Sequence, residues 1–166
     1  YDVDEAIDAL GELMVDLKFG SAGERVVIED FLEGEEATVM VLWDGKSYFL
    51  LPSSQDHKRV GEGDIGPNTG GMGAYSPAPV IDEIIREKVE KEIVHPLLEG
   101  IKKEKLRYRG VIYLGIMVDR EKEPWVLEFN VRLGDPETQV VLPRVNNDWL
   151  EVNLAIWEKK LGEIKF

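Results

Sequence analysis

The chain has 166 residues, 43% of them hydrophobic, which is enough for a folded domain with a real core. Asp and Glu outnumber Lys and Arg by 33 to 20, a formal net charge of -13, and this argues against the basic face that a nucleic-acid partner needs. No apolar run approaches the roughly 20 residues that cross a bilayer, and the absence of Cys excludes disulfides and thiolate metal sites. A cytoplasmic protein without membrane or nucleic-acid partners, using oxygen ligands for any metal, is expected.

The first residue is Tyr1 and the acidic start Asp2-Val3-Asp4-Glu5 has no signal-peptide character. Helical pattern begins at once, so a segment of a longer polypeptide is expected. Residues 2 to 17 read as an amphipathic helix, with Asp2 and Glu5 as a capping box and Val3, Ala6, Ile7, Leu10, Met14 and Leu17 as its apolar stripe. Gly20 and Gly23 end it. Val26-Val27-Ile28 reads as a short strand leading into an acidic segment that ends at Glu36. A strand over 36–43, an Asp44-Gly45 turn and a return over 47–51 form a hairpin.

Residues 52–80 are dense in Gly and Pro and show little periodicity, so a long functional loop is expected, with 61–73 as a mobile cover. A helix follows over 82–103, with Ile84, Ile85, Val89 and Ile93 on one face and Pro96 kinking or splitting it. Two strands over 110–119 and 125–132 flank the Glu121–Pro124 turn. Asn147 or Asp148 caps a closing helix whose apolar face is Leu150, Leu154, Trp157 and Leu161. The order helix, antiparallel strands, helix, strands, helix argues for an α+β fold.

Alternation on the last strand puts Trp125, Leu127, Phe129, Val131 and Leu133 on a core face, and Glu128, Asn130 and Arg132 on the other. Glu and Asn oxygens are hard ligands suited to Mg²⁺, and an Arg beside them can hold a phosphate that the metal bridges. The competing reading is an exposed strand carrying a Glu–Arg pair. Gln55-Asp56-His57-Lys58-Arg59 gathers three potential cations at the mouth of the Gly-rich loop, as an anion site or as a solvated basic patch. That loop matches neither P-loop spacing nor a dinucleotide fingerprint. The segment 29–36 is either an acidic loop or an extended edge offering backbone groups to adenine.

In this order, Ile28–Ala37, Gln55–Arg59, Gly66-Pro67-Asn68-Thr69-Gly70-Gly71-Met72-Gly73-Ala74-Tyr75-Ser76-Pro77 and Leu127–Leu133 followed by Gly134-Asp135-Pro136-Glu137-Thr138-Gln139 resemble successive signatures of the glycinamide ribonucleotide synthetase (phosphoribosylamine–glycine ligase) family. The resemblance implies an ATP-grasp core, an antiparallel sheet with flanking helices, over 1–166. It implies ATP-dependent ligation of glycine to 5-phosphoribosylamine in purine biosynthesis, with Mg²⁺ or Mn²⁺. The alternatives are another ATP-grasp carboxylate–amine ligase or carboxylase, or a non-catalytic nucleotide-binding module.

Carried over by position, Glu29, Asp30, Phe31 and Leu32 would hold adenine, Glu36 the ribose, and Glu128 and Asn130 the metal. Arg132, Asp135 and Lys58 would serve the chemistry. Asp56, His57, Arg59, Asn68, Thr69, Gly70, Gly71 and Glu137 would lie at glycine and phosphoribosylamine. A third metal carboxylate, common in the wider superfamily on the preceding strand, is replaced here by Gly115 or its neighbours, and Leu133 stands where the family often has an aromatic. The family's N-terminal domain, its Lys-bearing phosphate loop and its C-terminal domain are expected to lie outside this sequence.

Overall fold

A computed structural model describes residues 2–63 and 65–166 and divides into two compact units, Tyr1–Phe31 and Leu32–Phe166. In the first unit, α1 (Val3–Leu10) runs into a π-helical turn over Gly11–Val15. Asp2 caps it by accepting from the backbone N–H of Asp4 at 3.0 Å, one position earlier than a Glu5-centred capping box. The expected apolar stripe is exposed, with Val3 at 73% and Ile7 at 58%. Val26–Ile28 is not a strand. A strand requires a ladder partner, and among the described residues these three have none.

The second unit is built on one antiparallel four-stranded sheet. Its strands are β1 (Glu35–Trp43), β2 (Tyr48–Leu50), β7 (Gly110–Val118) and β8 (Pro124–Asn130), in spatial order β2-β1-β7-β8. The α+β expectation holds. β1 and β7 are central and read as continuous hydrophobic runs because helices cover both faces. On one face Val39, Val41, Trp43, Ile112, Leu114 and Ile116 pack against Ile85, Val89, Val94 and Leu98. These last belong to a long helix of α2 (Glu83–Lys88), a π segment (Val89–Val94) and α3 (His95–Lys103). The chain stays helical through Pro96, but the helix is divided just before it, where the π segment gives way to α3. Pro96 sits in the first turn of α3, after the wide π turn, where its missing N–H is tolerated. Ile84 is exposed at 63%, unlike its predicted face-mates.

On the other face Met40, Leu42 and Tyr113 meet Val141, Val152, Ile156 and Leu161 from α4 (Glu137–Val141), α5 (Trp149–Glu158) and the turn that follows. Asp148 caps α5 as expected. The buried face is Val152, Ala155 and Ile156, however, while Leu150, Leu154 and Trp157 are exposed at 69, 51 and 74%. The helix carries large apolar residues on its outer side as well, and the small Val152 and Ala155 allow the closer approach to the sheet. The β1–β2 turn is tied down by the buried Asp44, whose carboxylate accepts from the N–H groups of Lys46, Ser47 and Leu161 at 2.7, 2.6 and 3.0 Å. Gly45 supplies the φ of +93° that the turn requires.

The 52–80 segment is not structureless. It forms two small antiparallel ladders, β3 (Gln55–Asp56) with β6 (Ala74–Tyr75) and β4 (Arg59–Gly61) with β5 (Ile65–Asn68). Three further bonds lace them together: His57 N–H to Gly73 C=O, Met72 N–H to His57 C=O, and Thr69 N–H to Lys58 C=O. The Gly-rich stretch is thus a hairpin folded back on the Gln55–Arg59 segment. Among the described residues no helix is long and apolar enough to cross a membrane.

Candidate active site

Strand register places the metal candidates. Thr38 pairs with Gly115 and Gly115 with Glu128, forming one row across β1, β7 and β8; Met40, Tyr113 and Asn130 form the next row. Directly opposed residues share a face, so Glu128 and Asn130 lie on the α4/α5 side of the sheet with Glu36, Thr38 and Tyr113. The expectation of a shared face holds for Glu128 and Asn130.

The expectation of a core face opposite them does not. A bulge puts Leu127 between the pairs Gly115–Glu128 and Ile116–Val126 and breaks the alternation. Trp125, opposite Met117, therefore falls on the same face as Glu128, while Phe129, opposite Leu114, falls on the other. Because β8 is an edge strand, Trp125 and Phe129 remain 50 and 49% exposed, and Val131 and Leu133, beyond its end, are 68 and 36% exposed. Arg132 lies beyond the strand, in a bend, and its guanidinium donates to the Leu133 carbonyl at 3.1 Å. Gly115 has a packing role. A Cβ there would stand 2.9 Å from Glu128 Cγ, so the stem of Glu128 occupies the space that a side chain on β7 would take.

The polar groups converge beside this row. Glu36, Thr38, Asp56, Lys58, Tyr113, Gly115 and Leu127 line a recess of about 10 Å³, room for no more than one water. Lys58 Nζ donates to Glu36 Oε2 at 2.7 Å, and both are half-buried. Burial would lower the Lys58 pKa, but the Glu36 hydrogen bond and the charges of Glu36, Asp56 and Glu128 outweigh it and hold the ammonium above its usual range. Asp56 is pushed up, first by burial and then by Glu137 and Glu36, with Lys58 opposing. One ammonium thus faces the carboxylates of Glu36, Asp56 and Glu128. Such a surface repels a polyphosphate unless a divalent cation bridges them.

The residues fit such a cation. Glu128 is exposed, and half-buried Asn130 has a buried amide nitrogen with no partner in the structure. Rotating the carboxamide by half a turn would bring its oxygen, the atom a hard cation takes, to that unpartnered position. Among the described residues no cluster of three or more His, Cys, Asp and Glu completes a cage. Two protein oxygens, with phosphates and water filling the remaining positions, is the pattern Mg²⁺ prefers. A roomier groove of about 780 Å³ around Arg107, Arg109 and Trp157 lies at the opposite end of β7, far from these carboxylates.

The other expected residues fall into three groups. Glu29, Asp30 and Phe31 belong to the first unit and are exposed, whereas Leu32 and Glu36 belong to the second. His57, Arg59, Asn68, Thr69 and Gly70 lie on the laced hairpin. His57 stands 5.5 Å from the Tyr75 ring, Arg59 donates to the Gly66 carbonyl, and Thr69 accepts from Gly71 N–H. Gly71, at φ +124°, sits so close to the following turn that a Cβ would be 2.6 Å from Pro136 Cδ. The two most specific sequence blocks therefore touch. Asp135 is exposed and accepts from Gln139. Glu137, expected at the substrate, is only 2% exposed and turns instead toward Tyr113 and Thr38. Neither of these two stood out in the sequence, because each occupies an ordinary position in a core-strand run.

Comparisons with known proteins bear on the family and the fold. The family profile described as "Phosphoribosylglycinamide synthetase, ATP-grasp (A) domain" matches residues 1–138. A phosphoribosylamine–glycine ligase from Leptospira interrogans is 52% identical over 157 residues, covering 95% of this chain and 36% of that protein. The crystal structure of a phosphoribosylamine–glycine ligase from Thermotoga maritima superposes with a TM-score of 0.81 at 36% identity, covering 95% of this chain and 40% of that one. The biotin carboxylase domain of a single-chain bacterial carboxylase, 19% identical with a TM-score of 0.56 over 86% of this chain and 31% of its own, shares the fold. The chain spans between about a third and two fifths of the length of the ligases it matches. With the profile covering most of its length, the chain belongs to the phosphoribosylglycinamide synthetase ATP-grasp (A) domain family.

Proposed function

We propose that this chain carries the nucleotide and metal face of an ATP-dependent ligase that joins glycine to 5-phosphoribosylamine in purine biosynthesis. The products are glycinamide ribonucleotide, ADP and phosphate. The observation that carries the reading is the convergence of Glu128 and Asn130 with Glu36, Asp56 and Lys58 on one sheet face.

Glu128 and Asn130 would hold Mg²⁺ or Mn²⁺, which supplies charge neutralisation for the transferring phosphoryl group. Asp30 C=O and Leu32 N–H would hold adenine, with the Glu29 side chain near its amino group and Phe31 and Leu32 as apolar neighbours of the ring. Glu36, fixed by Lys58, would accept from the ribose. A glycine carboxylate oxygen attacks the γ-phosphorus, ADP leaves, and glycyl phosphate forms. The amine nitrogen then attacks the carbonyl carbon, phosphate leaves, and one proton is lost. Arg132 would steady the phosphoryl oxygens, and Lys58 would counter the charge that develops. Asp56, whose carboxyl is held above the usual range, is suited to receive the proton. His57, Arg59 and the 68–71 backbone, with Asp135, would border the two substrates.

The test uses a full-length family protein with this chain as its ATP-grasp segment. ADP release should require glycine, 5-phosphoribosylamine and Mg²⁺ together. Release driven by bicarbonate or by another amino acid would move the chain to a different ligase or carboxylase. Nucleotide binding without any release would leave a binding module.

A further inference from the structure

A buried polar triad lies under the site. Thr38 on β1, Tyr113 on β7 and Glu137 in the first turn of α4 are 3, 5 and 2% exposed. The Tyr113 hydroxyl donates to Glu137 Oε1 at 2.7 Å and accepts from Thr38 Oγ1 at 2.9 Å, and Thr38 Oγ1 stands 3.4 Å from the same carboxylate oxygen. No ion pair among the described residues includes Glu137. Two hydroxyls therefore do the work that a cation usually does. Burial, ahead of the Glu137 carboxylate, keeps the Tyr113 hydroxyl protonated and hence a donor. For stability alone such a carboxylate is a poor choice, since apolar packing of equal volume avoids its desolvation.

Its surroundings show what it fixes. At Gly134 a Cβ would collide with the Glu137 carboxylate and stand 2.8 Å from Tyr113 Cε2. The Gly134–Pro136 turn thus closes directly over the tyrosine ring and the carboxylate. Thr138 Oγ1 and N–H both donate to the Gly134 carbonyl and tighten the turn. On its outer side the turn carries Asp135 and receives Gly71 against Pro136. Sheet, triad, turn and Gly-rich hairpin form one continuous stack.

We infer that Tyr113 is a positioning residue for the ligation: through Glu137 it sets the height of the Gly134–Pro136 turn, and with it the Gly-rich hairpin, without touching substrate. The inference rests on the ligase reading. It assigns the effect to the substrates at the hairpin, not to ATP, because the turn meets the hairpin where Gly71 packs on Pro136.

Tyr113→Phe keeps the ring and deletes the donor to Glu137. In the full-length protein it should raise KM for glycine or 5-phosphoribosylamine on the order of 10-fold or more, the scale of a small misplacement, with KM for ATP within about two-fold. Thr38→Val should show the same split in milder form and serves where the Phe variant is not recovered folded. Thr38→Ser should restore normal behaviour. A lowered Tm with every KM unchanged would make the triad purely structural and overturn the inference while leaving the ligase reading intact. Absence of glycine-dependent ADP release in the unmutated protein would remove both.

Discussion

Glu128→Gln in the full-length protein should lower ligation by roughly three orders of magnitude, the scale of losing a group that stabilises transition-state charge. Melting should stay within about 2 °C, because isosteric changes at exposed positions seldom exceed about 0.5 kcal/mol. The two expectations separate because Glu128 contributes little to the core. It lies exposed on an edge strand, with its stem over Gly115 and its carboxylate toward Lys58. Gln fills the same space over Gly115 but removes the charge that a divalent cation needs. Nucleotide titration with and without Mg²⁺ adds a second readout: the metal-dependent part of the affinity should fall, and the metal-independent part should remain. Near-normal turnover by the folded variant would take Glu128, and the face it shares with Asn130, out of the metal site.

The second large effect is expected at Gly71. Its φ of +124° is open to few side chains, and an added Cβ would press on Pro136 Cδ at 2.6 Å. Gly71→Ala should therefore cost about 1–3 kcal/mol locally. The hairpin would be released from the Gly134–Pro136 turn, with activity reduced roughly 10- to 100-fold as substrate contacts are displaced. Gly70 is the internal control, since it lies outside the positive-φ region and nothing stands within 4 Å of a Cβ there. Gly70→Ala should leave the fold and the docked hairpin unchanged. Hydrogen exchange at the amides of His57, Thr69 and Met72, which lace the hairpin, reads the difference directly. Equal exchange in the two variants would mean that the contact with Pro136 does not hold the hairpin.

Much of the sheet was legible in the sequence for plain physical reasons. β1 and β7 are long β-branched and aliphatic runs, and Asp44-Gly45 marks the turn between β1 and β2. Elsewhere the periodicity misled. Val26–Ile28 has strand composition but no ladder partner. In α5 the larger apolar residues suggested the inward face, whereas packing distance selected Val152, Ala155 and Ile156. The bulge at Leu127 reversed the phase of β8 in its middle, which no alternation count detects. Glu128 and Asn130 were still found, because both lie beyond the bulge and two residues are enough to share a face. Tyr113 and Thr38 were not, since a hydroxyl in a buried strand carries no signal until its partner 24 or 99 residues away is known. The ladders within 52–80 were hidden for a related reason: their strands are two to four residues long and depend on Gly at φ values that periodicity does not record.

The proposed chemistry passes through glycyl phosphate, and the fate of one oxygen tests that step most directly. Glycine labelled with ¹⁸O in its carboxylate should be turned over by the full-length protein with ATP, Mg²⁺ and 5-phosphoribosylamine, and the released inorganic phosphate examined by mass spectrometry. Attack of the carboxylate on the γ-phosphorus predicts one ¹⁸O in each phosphate and one retained in the amide product. Phosphate free of label, with both labelled oxygens still on unreacted glycine, would show that this carboxylate is never phosphorylated and would contradict the assignment of the site.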